Sequence, residues 1–583
     1  MRFHHRRVVD FAVTALAIVI LAAMAAGRAA GAQNVIVHNA RVWTGDSARP
    51  YAEAVAIRGD RIVGVGTSAS MARYRTADTR VIDAGGRFVA PGFIDNHTHF
   101  ERAGALILGV NLLDVADEPT LVRRVREARG RLPRGAWLVG GEWGAYEAWA
   151  VNSAGSGRRA GGGGTDTARV FRPHKAMIDS ITGETPALLS KWDRSIYLAN
   201  GRALALASAT CDWDGVECEG GQPTGRLTPA AAERVRRAIP PKPLEQRLAE
   251  SRAALAQLAE LGVVGIHDNT GPEQLLVYEE LRRRGELTVR VYARPTLDKW
   301  DELRAVGIPH GFGDEWIKIG GLKGFVDGIM GNSTARFYEP QLHSGQRGDW
   351  RDMMSPPGNM ERLIAGADSA GHWPQIHAIG DEAIDTLLAM YESVIRRHGR
   401  RPGGERRWRV IHAQVLRGPQ VAARMARLGL IAEVQPYHAI DDMRWMEERI
   451  GQRARWAYAF NTLRRAGVLV TFGSDWPGTN AAWYTANPLH GIYAAVTRQT
   501  LAGEPHSGWF PEERVDVEFA LRAYTVNNAY AAGEERARGK IAPGYFADLV
   551  MLDADPLRIP SARLKDVKVM LTMVGGRTVH EAR

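Results

Sequence analysis

The chain has 583 residues, 45% of them hydrophobic and 24% charged, which is enough to bury a large core. That length suits one α/β unit with insertions and a smaller appended domain as well as it suits three ordinary domains. The formal charge of +10 comes from Lys and Arg scattered among acids, without the clustered bases and interleaved aromatics of a nucleic-acid surface, so the charge reads as solvated surface and no nucleic-acid partner is expected.

At the start of the chain Arg2, Arg6 and Arg7 precede an apolar run from Phe11 to Ala26, and Ala30-Gly31-Ala32 supplies small residues before Gln33. This pattern predicts a signal peptide over residues 1–32, cleaved near Ala32, and an exported protein that is periplasmic or secreted. The sixteen apolar residues fall short of the roughly 20 needed to span a bilayer, so no stable membrane insertion is expected after cleavage; an uncleaved anchor is the rival reading.

From Asn34 to Val89 short apolar runs alternate with turn residues, as in Val35-Ile36-Val37, Ala54-Val55-Ala56-Ile57 and Arg61-Ile62-Val63-Gly64-Val65. The theme returns at the end in Ala547-Asp548-Leu549-Val550-Met551-Leu552 and Val567-Lys568-Val569-Met570-Leu571. One small β-sandwich domain built from both chain ends, residues 34–89 and 536–583, is therefore expected.

Between them, eight strand-like runs each lead into a polar or small residue: Gly92–Asp95, Val263–Ile266, Val289–Tyr292, Trp316–Ile319, Pro374–Ile376, Trp408–Ile411, Leu430–Val434 and Val468–Gly473. Helical patterns such as Pro243 to Leu261 and Met360 to Ala370 separate them, as parallel strands with crossover helices require. Eight such units predict a TIM (β/α)8 barrel over residues 90–535. The gap after the first run is too long for one helix and predicts an insertion at about 105–240. It contains a Gly-rich run, Gly161 to Gly164, and the only two cysteines, Cys211 and Cys218, whose close spacing in an exported chain favours a local disulfide over a metal site.

In such a barrel reactive groups sit where strands end, so the residues that terminate the runs are the informative ones. The first run leads into His97-Thr98-His99, whose alternate side chains share one face of a strand and can reach one ion. The fourth run leads to Lys323, the fifth to His377, the sixth to His412 and the eighth to Asp475. Singly, such a His is commonly a hydrogen-bonded structural residue and such an Asp a helix N-cap. Four His, one Lys and one Asp falling in order at the mouths of separate strands instead point to a metal centre.

Pro91-Gly92-Phe93-Ile94-Asp95-Asn96-His97-Thr98-His99 resembles the first-strand signature of the amidohydrolase superfamily, and Gly539-Lys540-Ile541-Ala542-Pro543-Gly544 with Ala547-Asp548-Leu549 resembles its closing β-domain signature. Lys323-Gly324-Phe325-Val326-Asp327-Gly328, His377-Ala378-Ile379-Gly380-Asp381, His412-Ala413-Gln414 and Ser474-Asp475-Trp476-Pro477 are similar to the family 3 branch, which contains N-substituted formamide deformylases. The resemblance implies two divalent cations, usually zinc, with His97 and His99 on one ion, His377 and His412 on the other, and an N6-carboxylated Lys323 bridging them. It also implies that Asp475 is a metal-site residue and the general base, in a reaction where a metal-activated hydroxide attacks the carbonyl of an amide, N-substituted formamide or cyclic amide. Lys318 is the alternative bridge. Asp381 and Asp327 either bond a ligand or brace local structure, His267 is expected to pack or to support a ligand, and Asp95 to brace the first strand's turn.

The position before His412 is Ile411, where that branch commonly has an acid. Trp143, Trp149, Trp476 and Trp483 fall in segments expected near the mouth, where aromatic walls would favour an apolar or aromatic substituent on a small-molecule substrate. A lactonase or esterase, a mononuclear deaminase and an inactive ligand-binding homologue are the competing functions, and a homodimer is compatible with the sequence.

Overall fold

Hydrophobic runs of period two and helices of period 3.6 alternate through most of this chain, and the computed structural model resolves them into an α/β architecture. The structure describes residues 34–132, 135–144, 171–191, 194–399, 405–478 and 485–582; the expected signal peptide, the Gly161 to Gly164 run, Trp149 and Trp483 lie outside the described residues. No helix among the described residues is long and apolar enough to cross a membrane.

Two parallel sheets hold the centre. The first contains β1 (Phe93–Thr98), β2 (Val263–Asn269), β3 (Arg290–Arg294) and β4 (Ile317–Ile319), paired in chain order. The second contains β5 (Leu322–Phe325), β6 (Pro374–Ala378), β7 (Arg409–His412), β8 (Ile431–Val434) and β9 (Leu469–Phe472), again in chain order. Instead of one fourth strand there are two short ones, because Gly320 and Gly321 interrupt it. A Cβ on Gly320 would lie 2.2 Å from the Tyr292 ring, and one on Gly321 would lie 2.2 Å from the Gln375 amide, so only glycine permits this approach. Isolated bridges join the two sheets at two places. Thr296, beyond β3, bridges Lys323 in parallel, and the Lys323 N–H donates to the Pro295 carbonyl at 2.8 Å. On the other edge the Asp475 N–H donates to the His97 carbonyl and the His99 N–H to the Trp476 carbonyl, each at 2.8 Å.

The crossover helices bury one stripe each. In α1 (Phe100–Leu108) Phe100, Ala103 and Leu106 are buried, and α1 packs on α2 (Leu244–Glu260), whose Leu248, Ser251, Leu255 and Leu258 recur at helical spacing. The predicted helix around Met360 to Ala370 is α3 (Asn359–Ser369). After it come α4 (Asp381–His398), with Asp381 and Glu382 in its first turn where the helix dipole favours acids, and α5 (Pro436–Asp442), with Pro in the first turn.

The long stretch between β1 and β2 carries its own five-stranded sheet, with Leu138–Trp143 on one edge and Val216–Glu219 on the other. Cys211 and Cys218 within it are joined as a disulfide. Both chain ends contribute to a six-stranded sheet in which Leu549–Leu552 pairs antiparallel with Phe88–Pro91. A four-stranded sheet of Val35–His38, Ala54–Arg58, Arg61–Gly66 and Arg80–Asp83 shares its core through Val35, Val55, Val89, Leu549 and Leu571. These end segments dock on β3 through a buried pair, Arg290 Nε donating to Asp548 Oδ2 at 2.8 Å.

Candidate metal centre

The side chains that β1 turns inward are Asp95, His97 and, just past its end, His99. Asp95 is buried and accepts from the N–H of His97 at 3.0 Å, the N–H of Ser474 at 2.9 Å and the Ser474 hydroxyl at 2.5 Å. It thereby ties β1 to the turn after β9, and burial pushes its carboxyl up to about 7. On that turn sits Asp475, whose Oδ1 lies 3.0 Å from His99 Nε2 and 3.5 Å from His97 Nε2. Donor atoms of these three residues all lie within 4.8 Å of one another. Asp475 Oδ1 is buried with no well-directed hydrogen bond, the state of a carboxylate oxygen built to face a cation.

The other ligand candidates close round the same point. The Lys323 Nζ is 3.5 Å from His97 Nε2. The His412 ring centre lies 5.1 Å from that of His97 and 4.6 Å from that of His377. Lys318, in contrast, pairs with Glu534 at 2.7 Å on the far side of the glycine break, and takes no part in the cluster. His412 and Asp475 both hold left-handed backbone, with φ of 70° and 58°, a conformation that costs a non-glycine residue about 1–3 kcal/mol and collects at functional sites.

Orientation is settled by a second layer of groups. The His97 Nδ1–H donates to Glu433 at 2.9 Å, the His412 Nδ1–H to the Gln435 amide oxygen at 2.7 Å, and the His377 Nε2–H to the Gly328 carbonyl at 2.8 Å. Each hydrogen bond fixes the tautomer and leaves the opposite ring nitrogen with its lone pair, the condition for binding a metal. Burial, followed by the Lys323 charge, pushes His97 well below the usual imidazole range and His377 down to about 3; burial and the neighbouring His377 do the same to His412. All three are neutral near pH 7, as ligands must be. Burial raises the Glu433 carboxyl, but Arg294, His97 and Arg409 outweigh it and hold the group well below its ordinary value. Two guanidiniums brace it, Arg294 at 2.8 Å and Arg409 at 2.7 Å. For Lys323, burial and then Arg294 bring the amine down to about 7. The donor set of imidazoles, a carboxylate and a buried lysine therefore fits a divalent cation of the zinc type.

Other expected residues fall outside this inner cluster. Asp327 accepts three backbone N–H groups, from Arg336, Ile379 and Gly380, and lies 3.5 Å from His377 Nε2, so it shapes the strand ends around that ring. Asp381 accepts the Tyr338 N–H at 3.0 Å and braces the segment after β5. His267 lies under the cluster, its Nδ1 accepting from Arg409 at 2.9 Å and its ring packed on Tyr292. Trp476 was expected near the substrate, yet its indole is 0% exposed and packs on Phe100; Trp143, at 1%, is likewise sealed in the insertion's core beside Leu112 and Leu138. Neither tryptophan presents a wall to the mouth, because both fill gaps where apolar elements meet.

Sequence reading assigned no role to Asn269, Arg294, Glu433, Gln435 or His438. The Asn269 amide nitrogen stands 3.1 Å from His97 Nε2 and 3.4 Å from His99 Nε2. A signal that could have found Gln435 and His438 is the pair of polar residues just past an apolar strand in Val434-Gln435-Pro436-Tyr437-His438.

An amidohydrolase family model matches residues 80–580. The protein LONG AFTER FAR-RED 3 of Arabidopsis thaliana is 31% identical over 94% of this chain and 91% of its own length. An N-substituted formamide deformylase of Arthrobacter pascens is 26% identical over 93% of this chain and 98% of its own length. Among solved structures, an uncharacterized metal-dependent hydrolase from Pyrococcus furiosus superposes with a TM-score of 0.70 and 26% identity, over 90% of this chain and all of that one.

Proposed function

Since this chain belongs to the amidohydrolase family and is a metal-dependent hydrolase acting on carbon–nitrogen bonds, we propose that it cleaves a small amide, an N-substituted formamide or a cyclic amide at a centre for two zinc ions. The observation that carries this reading is the convergence of His97, His99 and Asp475 donor atoms within 4.8 Å, beside Lys323, His377 and His412. We read the two parallel sheets, bridged to each other at two places, as one (β/α)8 barrel with the cluster at the C-terminal ends of its strands, and the end segments as a composite β-sandwich domain.

When bound, the cations supply Lewis acidity toward the scissile carbonyl and toward the attacking water. His97 and His99 would hold one ion, and His377 and His412 the other, each ring presented by its outer hydrogen bond. Lys323, buried 3.5 Å from His97 Nε2, is placed to carry the bridging carboxylate if its amine adds carbon dioxide: a nitrogen–carbon bond forms and one proton leaves. Asp475 is the one acid among the clustered donors, and its role is to accept the proton of the attacking water and deliver it to the leaving nitrogen, so that the amine departs neutral. We also propose that the mature chain lies outside the cytoplasm, a reading supported by a disulfide of the kind that persists in oxidising compartments.

The test is metal analysis of purified protein together with a screen of N-acyl amines, formamides, hydantoin-like rings and lactones. Two divalent ions per chain and turnover of an amide are expected. Asp475→Asn should lower kcat by about 10²- to 10⁴-fold, the usual worth of a general acid–base group. Turnover confined to lactones, or a single ion with deamination, would overturn the substrate class or the two-ion reading.

A further inference from the structure

The helix α5 follows β8 directly and brings His438 to the edge of the histidine cluster. Its ring lies nearly parallel to that of His412, at an interplanar angle of 21° and 6.3 Å between centres. The His438 Nε2–H donates to the Ser474 carbonyl at 3.2 Å, one residue before Asp475. A ring nitrogen of His438, one of His412 and a carboxylate oxygen of Asp475 all lie within 4.8 Å of one another. All three residues are buried, with 5% of His438 exposed.

The simplest alternative is that His438 only props the turn after β9 through Ser474. A prop needs one hydrogen bond and no convergence of its ring with two further donor groups. His438 instead brings a ring nitrogen within 4.8 Å of donor atoms of both His412 and Asp475.

We propose that His438 is a further metal ligand, completing with His412 and Asp475 a second three-donor set for a divalent cation and sharing Asp475 with the set formed by His97 and His99. Two imidazoles and one carboxylate make a borderline donor set of the kind that takes zinc or cobalt(II). The assignment rests on the reading of the site as a cation-dependent hydrolase and adds a ligand which that reading lacks.

Cobalt(II) titration of the metal-depleted full chain tests it without recourse to activity. Wild type is expected to take up two ions. His438→Gln should retain the first and bind the second more weakly by more than about 10-fold, the least that even an outer partner of a metal ligand contributes. His438→Cys offers a gain of signal: Cys211 and Cys218 are the only cysteines and are joined to each other, so a thiolate-to-cobalt charge-transfer band would come from position 438. Weakened second-ion binding or the new band supports ligation by His438. Unchanged affinities together with no band overturn it, whereas failure of the wild-type chain to bind cobalt overturns the cation-dependent reading instead.

Discussion

The strands β1 and β8 meet at His97 and do opposite work. β1 presents ligand candidates, His97 and then His99, to the centre of the cluster. β8 presents a carboxylate, Glu433, that meets His97 on the side of its ring away from the cluster. Between them they divide a task that neither completes, since an imidazole without a partner can rotate or change tautomer, and an orienting acid without an imidazole does no chemistry. The division also places the energetic cost. Glu433 is wholly buried with Arg294 and Arg409 wholly buried around it, an arrangement that stays folded only while the charges remain paired. His99 leaves 27% of its side chain exposed and meets one carboxylate, that of Asp475. The site therefore keeps one ligand candidate, His99, where change is tolerated by the fold, and its structural risk one layer below the cluster.

Substitutions in each layer test this contrast. The largest effect is expected from His99→Ala, which should remove an ion and several kcal/mol of transition-state stabilisation, about a 10³-fold loss in kcat/KM, with the melting temperature of the metal-free chain nearly unchanged. A large fall in that melting temperature would show that β1 also carries the fold. Glu433→Ala should act the other way, costing about 3–5 kcal/mol in denaturant unfolding because two guanidiniums are left buried without their acid. A milder change, Gln435→Leu, removes the group that orients His412 while leaving no charge unpaired; metal affinity should fall by about 10- to 100-fold, read by competition with a chromogenic chelator. The smallest effect belongs to Lys318→Ala. Its pair with Glu534 is half-buried and Glu534 keeps Arg538, so stability should shift by no more than about 1 kcal/mol and metal content should not change. Loss of metal in that variant would make Lys318 the bridging lysine after all.

How much of this was legible in the chain differs from strand to strand. The ligand candidates of β1, β6, β7 and β9 could be read because a histidine or aspartate at the end of an apolar run breaks the expectation for a buried strand. Lys323 stood out for the same reason, although whether it or Lys318 faced inward depended on the break at Gly320 and Gly321, a steric matter between Tyr292 and Gln375. Glu433 and Arg294 were silent: each is a single charge within a strand, and nothing local says that the two meet across 139 residues of sequence. Trp476 misled in the opposite direction, since its place beside Asp475 in the chain suggested the mouth while its ring turns into the core.

The sequence by itself determined the alternation of strands and helices, the order of the donor residues and the coupling of both chain ends into one sheet, because periodicity and residue type are local properties of the chain. Tertiary structure alone decided which nitrogen of each imidazole faces inward, which lysine joins them and that His438 stands within reach of Asp475. Those outcomes depend on distances between side chains that only the packing of the two sheets brings together, and on hydrogen bonds whose strength and direction arise in the buried interior.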